Sequence, residues 1–398
     1  MGLSFPQTNP DNLNCPVSAV SNPTTAQVLD ALRQVQDPDL HQDIVTLNFI
    51  TKNEVNGGKV SVTINLTTPA CPVKEQLKQQ AIDVIRAIPG VTDVDVEMTA
   101  VVKGMGGNDS KLPDNIAHVI AVSSGKGGVG KSTATVNLAC ALAQTGARVG
   151  ILDCDVYGPD IPMMMGLAGQ PQSNGERITP KERHGVKTMS IGYLVEEDKP
   201  IMWRGPMIHK FIEQFLRDVD WGDLDYLLVD MPPGTGDAQI SLAQVVPLTG
   251  GVLVTTPQAV STFDVAKAVA MFRQVNVEVL GIIENMSGFP IEGTATPNSE
   301  IDFLIGGNSQ KVKVDGDGKF STIAEIFGTG GADGLAARFN FPVLGKIPLN
   351  PAVRVGGDGG DPIVVSDPDS LLAKRFREVA GKLAQRVAMK QFSLPILQ

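Results

Sequence analysis

Hydrophobic and polar residues follow different patterns in successive parts of the chain, and each pattern predicts a different kind of segment. Residues 1–23 are polar, with scattered Pro and Asn and no periodic apolar positions, so we expect a flexible N-terminal segment. Residues 24–102 combine helical spacing with strand alternation, which predicts a small α+β domain. The glycine-rich residues 103–115 predict a linker, and residues 391–398 a short tail.

The α+β pattern can be divided into individual elements. Apolar residues at helical spacing predict one helix after Thr24 and a second over Val73–Ala87. Strand patterns cover Ile44–Ile50, Lys59–Leu66 and Val91–Met98, and an Asn-Gly-Gly turn joins the first two. About 80 residues of this kind are enough to bury one small core.

From residue 116 onward, short and almost wholly apolar runs are separated by helical segments. Strands buried on both faces have this composition, because helices cover the two sides of a parallel sheet. We therefore predict a doubly wound α/β domain over 116–390, with a mostly parallel sheet. The predicted strands are His118–Val122, Arg148–Leu152, Tyr226–Val229, Val252–Thr255, Val279–Ile283 and Val343–Ile347.

The composition limits the classes of function. Lys and Arg total 33 against 43 Asp and Glu, and a net charge of −10 disfavours sequence-independent binding to nucleic acid. No apolar run approaches the roughly 20 residues of a membrane span, so we expect no membrane partner. Cysteines stand at 15, 71, 140 and 154, form no Cys-x-x-Cys pair and are too few for a disulfide scaffold. No secretory signal is readable, and we expect a soluble protein of the reducing cytoplasm.

Residues 125–133 carry the clearest chemistry. They read Gly-Lys-Gly-Gly-Val-Gly-Lys-Ser-Thr, a phosphate-loop pattern placed between an apolar strand and a predicted helix over Thr133–Gln144. Glycines allow successive backbone N–H groups to point at phosphate, and the helix N-terminus adds positive potential. We expect ATP to be bound with Mg²⁺, Lys131 reaching the β and γ phosphates and Ser132 ligating the metal. The predicted nucleotide-binding residues are Gly125, Lys126, Gly127, Gly128, Val129, Gly130, Lys131, Ser132 and Thr133.

Two groups of acidic residues follow predicted strands. Asp153 and Asp155 come after the second apolar run, whereas Asp230 closes the third and precedes a Pro-Gly segment that runs to Asp237. Ligands of open α/β sheets bind at the carboxyl ends of the strands, so both groups should face the phosphate loop. We expect Asp153 and Asp230 to hold Mg²⁺, Asp155 to orient the attacking water, and Asp237 to lie in a loop that senses the γ-phosphate. Cap or turn roles for Asp153 and Asp237 stay open.

Lys126 is a second lysine inside the loop, four residues ahead of the Gly-Lys pair. This variant resembles the deviant Walker A motif of the MinD-like ATPases, in which the extra lysine crosses a dimer interface to the partner's nucleotide. The resemblance implies a homodimer in which Lys126 acts in trans as a catalytic residue. A solvated lysine is the alternative.

Further segments make the chain similar to the Mrp/ApbC iron-sulfur cluster carriers. Residues 154–162 read Cys-Asp-Val-Tyr-Gly-Pro-Asp-Ile-Pro, 203–207 read Trp-Arg-Gly-Pro-Met, 284–287 read Glu-Asn-Met-Ser and 326–328 read Ile-Phe-Gly. The N-terminal part is similar to the PaaD-like domain often fused to that ATPase, through Asp-Pro-Asp-Leu at 37–40, Thr-Thr-Pro-Ala-Cys-Pro at 67–72 and Pro-Gly-Val at 89–91. The resemblance implies a homodimeric ATPase that works with Fe-S assembly proteins and delivers a 4Fe-4S cluster to apoproteins. It also implies that Asn285 contacts the adenine.

One departure from this family concerns the cluster ligands. The family places a Cys-x-x-Cys shortly after Glu-Asn-Met-Ser, whereas residues 288–325 of this chain contain no cysteine. Turn signals there predict an inserted hairpin over about 289–325. Cys71 is the best remaining candidate, because it lies at a strand-to-helix junction and a helix N-terminus stabilises a thiolate. Because each subunit has one Cys71, a homodimer supplies two of the four thiolates that a cluster typically requires. Other ligands would be needed for the remaining positions.

Two other hypotheses follow from these observations. In the first hypothesis, the protein has lost cluster binding and acts as a nucleotide-switched interaction protein, with the hairpin as its contact surface. Alternatively, it is a spatial-positioning ATPase of the MinD or ParA kind, which shares the phosphate loop but would not be expected to carry the PaaD-like domain.

Overall fold

The computed structural model describes residues 22–38, 40–102, 104, 115–194 and 205–393. They fall into two compact units, one formed by the residues up to Asn65 with Val73–Thr99, the other by Leu66–Pro72 with the residues from Ala100 onward. Most of the predicted N-terminal segment, linker and tail lie outside the described residues, as do Trp203 and Arg204.

The first unit is a small α+β body. Its elements are α1 (Thr25–Leu32), β1 (Gln36–Asp37), β2 (Gln42–Asp43), β3 (Ile50–Asn56), β4 (Lys59–Leu66), α2 (Lys74–Arg86) and β5 (Asp93–Ala100). In its described residues, β4 lies between β3 and β5 in one sheet. Both helices contribute buried side chains to the core, including Val28, Leu32, Leu77 and Ile85.

The predicted strand over Ile44–Ile50 is wrong. Residues 44–48 form a turn, and the strand begins only at Ile50. The cause is local, because the Asp43 carboxylate accepts backbone N–H groups from Val45 and Thr46 and so favours a turn over a sheet ladder.

The second unit contains the remaining elements. In chain order they are β6 (Ile116–Ser124), α3 (Lys131–Gln144), β7 (Val149–Asp153), α4 (Ile161–Met164), β8 (Lys181–Arg183), β9 (Val186–Ser190), α5 (Gly205–Asp218), β10 (Leu224–Asp230), α6 (Asp237–Val245), β11 (Gly250–Thr255), α7 (Ala259–Gln274), β12 (Val279–Asn285), β13 (Phe289–Thr294), β14 (Glu300–Ile305), β15 (Asn308–Lys313), β16 (Lys319–Ala324), α8 (Gly331–Phe339), β17 (Val343–Ile347), α9 (Pro351–Gly359), α10 (Ile363–Ser366) and α11 (Leu371–Ser393).

A large sheet organises this unit. Among the described residues, its strand order is β17-β12-β11-β6-β10-β7-β9-β8, with β8 antiparallel to β9 and the other pairs parallel. The predicted doubly wound α/β class is confirmed. β6 lies at the position where the chain changes direction across the sheet, which is where open α/β sheets bind ligands. The patterns missed β8 and β9, since β8 reads Lys-Glu-Arg and carries no apolar signal.

Helices cover both faces of the sheet and create two cores. On one face, α3 and α11 bury Leu138, Leu142, Phe376 and Leu383. On the other, α5, α7 and α8 bury Phe215, Phe272 and Leu335. Since both faces are covered, the carboxyl edge of the sheet is the accessible place for a ligand.

The predicted insertion contains two antiparallel ribbons, which we call the β-arm (residues 289–324). The inner ribbon pairs β14 with β15 and turns at Gly306-Gly307. The outer ribbon pairs β13 with β16 and was not predicted, because its two strands lie far apart in sequence. The rings of Phe303 and Phe320, one from each ribbon, lie 5.3 Å apart.

In the described part of the chain, no helix combines the length and the apolar character needed to cross a membrane.

The α7 face of the core allows a test of the fold. Phe272 is fully buried, and its ring lies so close to the sheet that a Cβ at Gly251 would come within 2.9 Å of it. We expect Phe272→Ala to lower the free energy of unfolding by about 3–5 kcal/mol, because it leaves a cavity. Urea unfolding followed by circular dichroism measures this loss.

Phe263 on the same helix is the matched control. It is 66% exposed, with the Lys267 ammonium over its ring at 4.5 Å. Phe263→Ala should change the free energy of unfolding by no more than about 1 kcal/mol. Equal losses in the two variants would contradict the packing described above.

Candidate nucleotide site

The loop between β6 and α3 has a backbone that requires glycine. Gly128 and Gly130 adopt φ values of +79° and +83°, in the left-handed region that side chains disfavour. A Cβ at Gly130 would lie 2.2 Å from Nδ2 of Asn285, and one at Gly125 would lie 2.3 Å from the carbonyl carbon of Asp264. The loop is therefore held between the start of α7 and the end of β12.

Lys131 and Ser132 open helix α3 and are both buried. Nζ of Lys131 lies 2.5 Å from Oδ2 of Asp230 and 3.7 Å from Oδ2 of Asp155. Ser132 Oγ donates to the same Asp230 oxygen at 2.7 Å. The structure thus brings together the predicted phosphate-binding lysine, the predicted magnesium hydroxyl and two of the predicted carboxylates.

The third carboxylate, Asp153, reaches the site through strand register. β10 and β7 are parallel neighbours in which Asp230 lies opposite Asp153, so both carboxylates stand at the same edge of the sheet. Asp153 Oδ2 accepts from Ser190 Oγ at 2.8 Å, while Oδ1 accepts the backbone N–H of Asp155 at 3.1 Å. Ser190 closes β9 and so holds Asp153 from the next strand along the sheet.

Burial and charge set the protonation of these groups. Burial raises the pKa of Asp153 well above its usual range, and the Asp230 carboxylate adds to that shift. Burial also raises the pKa of Asp155, with Lys131 acting in the opposite sense. For Lys131, burial alone would lower the pKa, but the hydrogen-bonded Asp230 carboxylate, together with Asp155 and Asp153, outweighs burial and the pKa is raised. Lys131 is therefore a firmly charged ammonium at the centre of an acidic cluster.

Two polar residues of this cluster escaped the sequence patterns. Thr135 Oγ1 lies 2.7 Å from Oδ1 of Asp230, and Ser190 holds Asp153. The signal for Thr135 is its spacing, since it stands three residues after Ser132 on the same face of α3. Ser190 gave no signal, because strand β9 itself was not predicted.

The remaining predicted residues take different positions. Lys126 is half-buried in the loop, and its carbonyl accepts from Ser124 Oγ at 2.9 Å. Thr133 lies in the first turn of α3, where its carbonyl accepts from Asn137 Nδ2 at 2.9 Å. Asp237 begins α6, and its side chain lies outside what the structure describes.

Asn285, predicted to contact the adenine, lies directly on the phosphate loop. Its Nδ2 donates to the carbonyl of Val129 at 2.9 Å. The next residues leave β12 through Met286 and Gly288, both with positive φ, and Ser287 N–H donates to the carbonyl of Ile347. We call residues 285–288 the base loop.

The oxygen ligands at this edge fit Mg²⁺. A serine hydroxyl and aspartate carboxylates are hard oxygen ligands of the kind that Mg²⁺ prefers. In the described ranges, no three His, Cys, Asp or Glu side chains form a metal site by themselves. Ser132 and the Asp153 and Asp230 carboxylates are the groups at this edge that could hold the metal.

The thiols differ in accessibility. Cys140 in α3 and Cys154 after β7 are buried, whereas Cys71 is only half-buried. Burial raises the pKa of Cys140 to about 12 and that of Cys154 well above its usual value. Cys140 and Cys154 are therefore neutral thiols inside the fold, while Cys15 lies outside the described residues.

Comparison with known protein families places both parts of the chain. The model of the NUBPL iron-transfer P-loop NTPases matches residues 115–314 and 308–384. The model of the iron-sulfur cluster assembly proteins matches residues 25–98.

Curated relatives and a solved structure agree with these matches. The iron-sulfur cluster carrier protein of Synechocystis is 45% identical, over 92% of this chain and 98% of its own. A chloroplastic Fe-S cluster assembly factor of Arabidopsis thaliana is 41% identical, over 93% of this chain and 65% of its own. A nucleotide-binding protein from Archaeoglobus fulgidus, solved in complex with ADP, is 35% identical with a TM-score of 0.50, covering 66% of this chain and 93% of its own. The chain therefore belongs to the family of iron-transfer P-loop NTPases that includes the iron-sulfur cluster carrier proteins.

Proposed function

We propose that this protein hydrolyses ATP as a homodimer and uses the nucleotide cycle to hold an iron-sulfur cluster and deliver it to apoproteins. The observation that carries the ATPase part is the buried contact of Lys131 and Ser132 with Asp230 at the carboxyl edge of the sheet. Membership of the iron-transfer family supports an iron-sulfur cluster as the cargo. In this proposal residues 24–102 and 116–390 are the two domains, the protein works in the cytoplasm, and it receives clusters from Fe-S assembly proteins.

Nucleotide binding would rearrange the contacts of Lys131. The γ-phosphate offers the ammonium more negative charge than Asp230 does, so Lys131 would exchange the carboxylate for phosphate oxygens. Asp230 would then be free, with Ser132 and Asp153, to hold Mg²⁺ directly or through water. When bound, Mg²⁺ supplies charge neutralisation at the β and γ phosphates.

Hydrolysis needs a residue that positions the attacking water. Asp155 is the candidate, because its carboxylate lies 3.7 Å from Nζ of Lys131 and follows a strand that ends at the site. Once Lys131 turns to phosphate, Asp155 loses a close cation and can accept a hydrogen bond from water instead. Asp237, at the start of α6, would sense the γ-phosphate.

The surface beside the phosphate loop supports association with a second copy. Val260 and Phe263 on α7 are 65% and 66% exposed, and the same helix packs against Gly125 through the Asp264 backbone. Exposed apolar groups at the rim of a site indicate an interaction surface. A second copy covering this surface would bring its Lys126 to the nucleotide, as the trans role requires.

The two loop lysines should give separable phenotypes. We expect Lys131→Ala to reduce both nucleotide affinity and ATP turnover about 100-fold or more, because the phosphates lose their buried cation. Lys126→Ala should leave nucleotide affinity nearly unchanged but lower turnover about 100-fold or more, since a charge supplied in trans acts in the transition state. Calorimetry with ATP and Mg²⁺ measures the nucleotide affinity, and a phosphate-release assay measures the turnover. Light scattering follows the dimerisation of each variant with ATP.

Lys374→Ala, on the exposed side of α11, is the control and should behave as the unmodified protein. Undiminished turnover in Lys131→Ala would refute the ATPase assignment. A Lys126→Ala variant that still dimerises with ATP and turns over normally would refute the role in trans.

The environment of Cys71 supports its role as a cargo ligand. Its segment, Leu66–Pro72, belongs to the second unit, where Thr68 Oγ1 accepts from the Tyr226 hydroxyl at 2.9 Å and Ala70 lies in the same core as α3. Tyr226 stands on β10, the strand that ends at Asp230, and α3 is the helix that begins at Lys131. The segment is thus anchored to β10, which ends at Asp230, and lies against Gly381 of α11.

Thiol reactivity tests which cysteine is available. Iodoacetamide should modify Cys71 about tenfold or more faster than Cys140 and Cys154 in the folded protein, because burial keeps those two thiols neutral and inaccessible. Peptide mass spectrometry after timed alkylation gives the rates. In urea the three cysteines should react alike, and similar rates in the folded protein would contradict the assignment.

Anaerobic reconstitution with iron and sulfide tests the cargo. We expect bound iron and a 4Fe-4S absorbance that Cys71→Ser abolishes and Cys140→Ala retains, since thiolates are the usual cluster ligands. Retention of the cluster by Cys71→Ser would exclude Cys71 as a ligand. Absence of bound iron in the unmodified protein would instead favour a nucleotide-switched interaction protein, the second candidate, which the lack of cysteine in the β-arm supports.

A further inference from the structure

Both attachment points of the β-arm meet one buried carboxylate. The arm leaves β12 after the base loop and returns to the fold just before α8. Glu284, fully buried near the end of β12, accepts from Ser287 Oγ at 2.7 Å through Oε1. Its other oxygen, Oε2, accepts the backbone N–H of Ala332 in the first turn of α8 at 2.7 Å. A single side chain therefore joins the base loop, which precedes the arm, to the first turn of α8, which follows it, while the ends of the arm pair with each other at Phe289 and Ala324.

The position of this carboxylate is strongly determined. A buried carboxylate is costly unless it is hydrogen-bonded, and Glu284 uses one oxygen for each end of the arm. The N-terminus of α8 adds favourable potential for negative charge. Lys346 Nζ is more remote, at 3.9 Å, and lies 2.6 Å from Asp333 instead. The bonds to Ser287 and Ala332 thus dominate the placement of Glu284, and each end of the arm is fixed relative to the other.

Neighbours of these residues lead to the phosphate loop, directly through Asn285 and indirectly through the contact of α8 with the start of α7. Next to Glu284, Asn285 donates to the carbonyl of Val129 and packs on Gly130. At the start of α8, a Cβ on Gly331 would lie 2.7 Å from the carbonyl oxygen of Pro257, just before α7, and α7 in turn packs on Gly125. A displacement of the loop would therefore act on the base loop and on the α7–α8 contact, which Glu284 connects.

We propose that Glu284 is a positioning residue that couples nucleotide occupancy of the phosphate loop to the β-arm. Through its bonds to Ser287 and Ala332, the base loop and the start of α8 move together, and the arm between them follows. The inference rests on the proposed nucleotide binding and adds its regulation: the arm is the part of the surface through which the nucleotide state is read. In this proposal Glu284 does not contact the phosphates or the adenine of the nucleotide, and it acts only through Ser287 and Ala332.

Hydrogen–deuterium exchange of the intact protein, with and without ADP and Mg²⁺, tests the coupling. In the unmodified protein, nucleotide should slow exchange about threefold or more in residues 125–133 and in β13 and β16. Ser287→Ala removes one bond and should keep the slowing in the loop while losing most of it in β13 and β16. Glu284→Met has a side chain of similar size but no carboxylate, so it removes both bonds and should have the same effect.

Glu378→Met is the matched control, because it makes the same substitution at an exposed position of α11, where Glu378 pairs with Arg375 at 2.9 Å, and it should respond to nucleotide as the unmodified protein does. A merely structural role for Glu284 would raise exchange of the arm equally with and without nucleotide. Unchanged slowing in both Ser287→Ala and Glu284→Met would overturn the proposal. The proposal would also be overturned if calorimetry shows that the unmodified protein binds nucleotide but exchange in the arm does not change. If calorimetry detects no nucleotide binding, the proposed function itself is overturned, and the coupling with it.

Discussion

The contact between the Lys131 ammonium and the Asp230 carboxylate is the interaction on which the site depends. It joins the first residue of α3 to the last residue of β10, and Ser132 and Thr135 add two hydroxyls to the same carboxylate. Removing one member of such a buried pair leaves an unpaired charge, which costs about 3–5 kcal/mol. The pair therefore fixes where the helix begins relative to the sheet edge. A stronger anion at the loop, such as phosphate, can replace Asp230 as the partner of the Lys131 ammonium, so that the ammonium stays paired.

The surroundings of the loop explain how such an exchange would reach the rest of the fold. Gly125 and Gly130 have no space for a Cβ, so the loop is in direct backbone contact with α7 on one side and Asn285 on the other. Protein interiors are too closely packed to absorb a shift of the loop locally. The displacement would pass to the base loop and α8, which the bonds of Glu284 connect.

The sequence predicted those parts of the site that depend on local pattern. The phosphate loop follows from residue types at fixed spacing, and Asp153 and Asp230 follow from apolar runs that end in a carboxylate. Ser190 and Glu284 could not be found in this way, because their roles come from strand register and from contacts 37 and 48 residues away along the chain. The turn at 44–48 was missed for the opposite reason, since a very local bond to Asp43 overrides the strand pattern.

In the proposed function, the distribution of thiols would separate cluster ligation from signalling of the nucleotide state. The β-arm adjoins the nucleotide site but has no cysteine, so it can report the nucleotide state without holding a cluster. Cys71 offers the accessible thiol in the described residues, and its segment is anchored to β10 through Thr68 and to the core that includes α3. Because β10 and α3 supply the two members of the Lys131–Asp230 pair, exchange of that pair for phosphate would act on the Cys71 segment as well. Nucleotide chemistry would then reach the thiol and the arm by separate routes from the same buried contact.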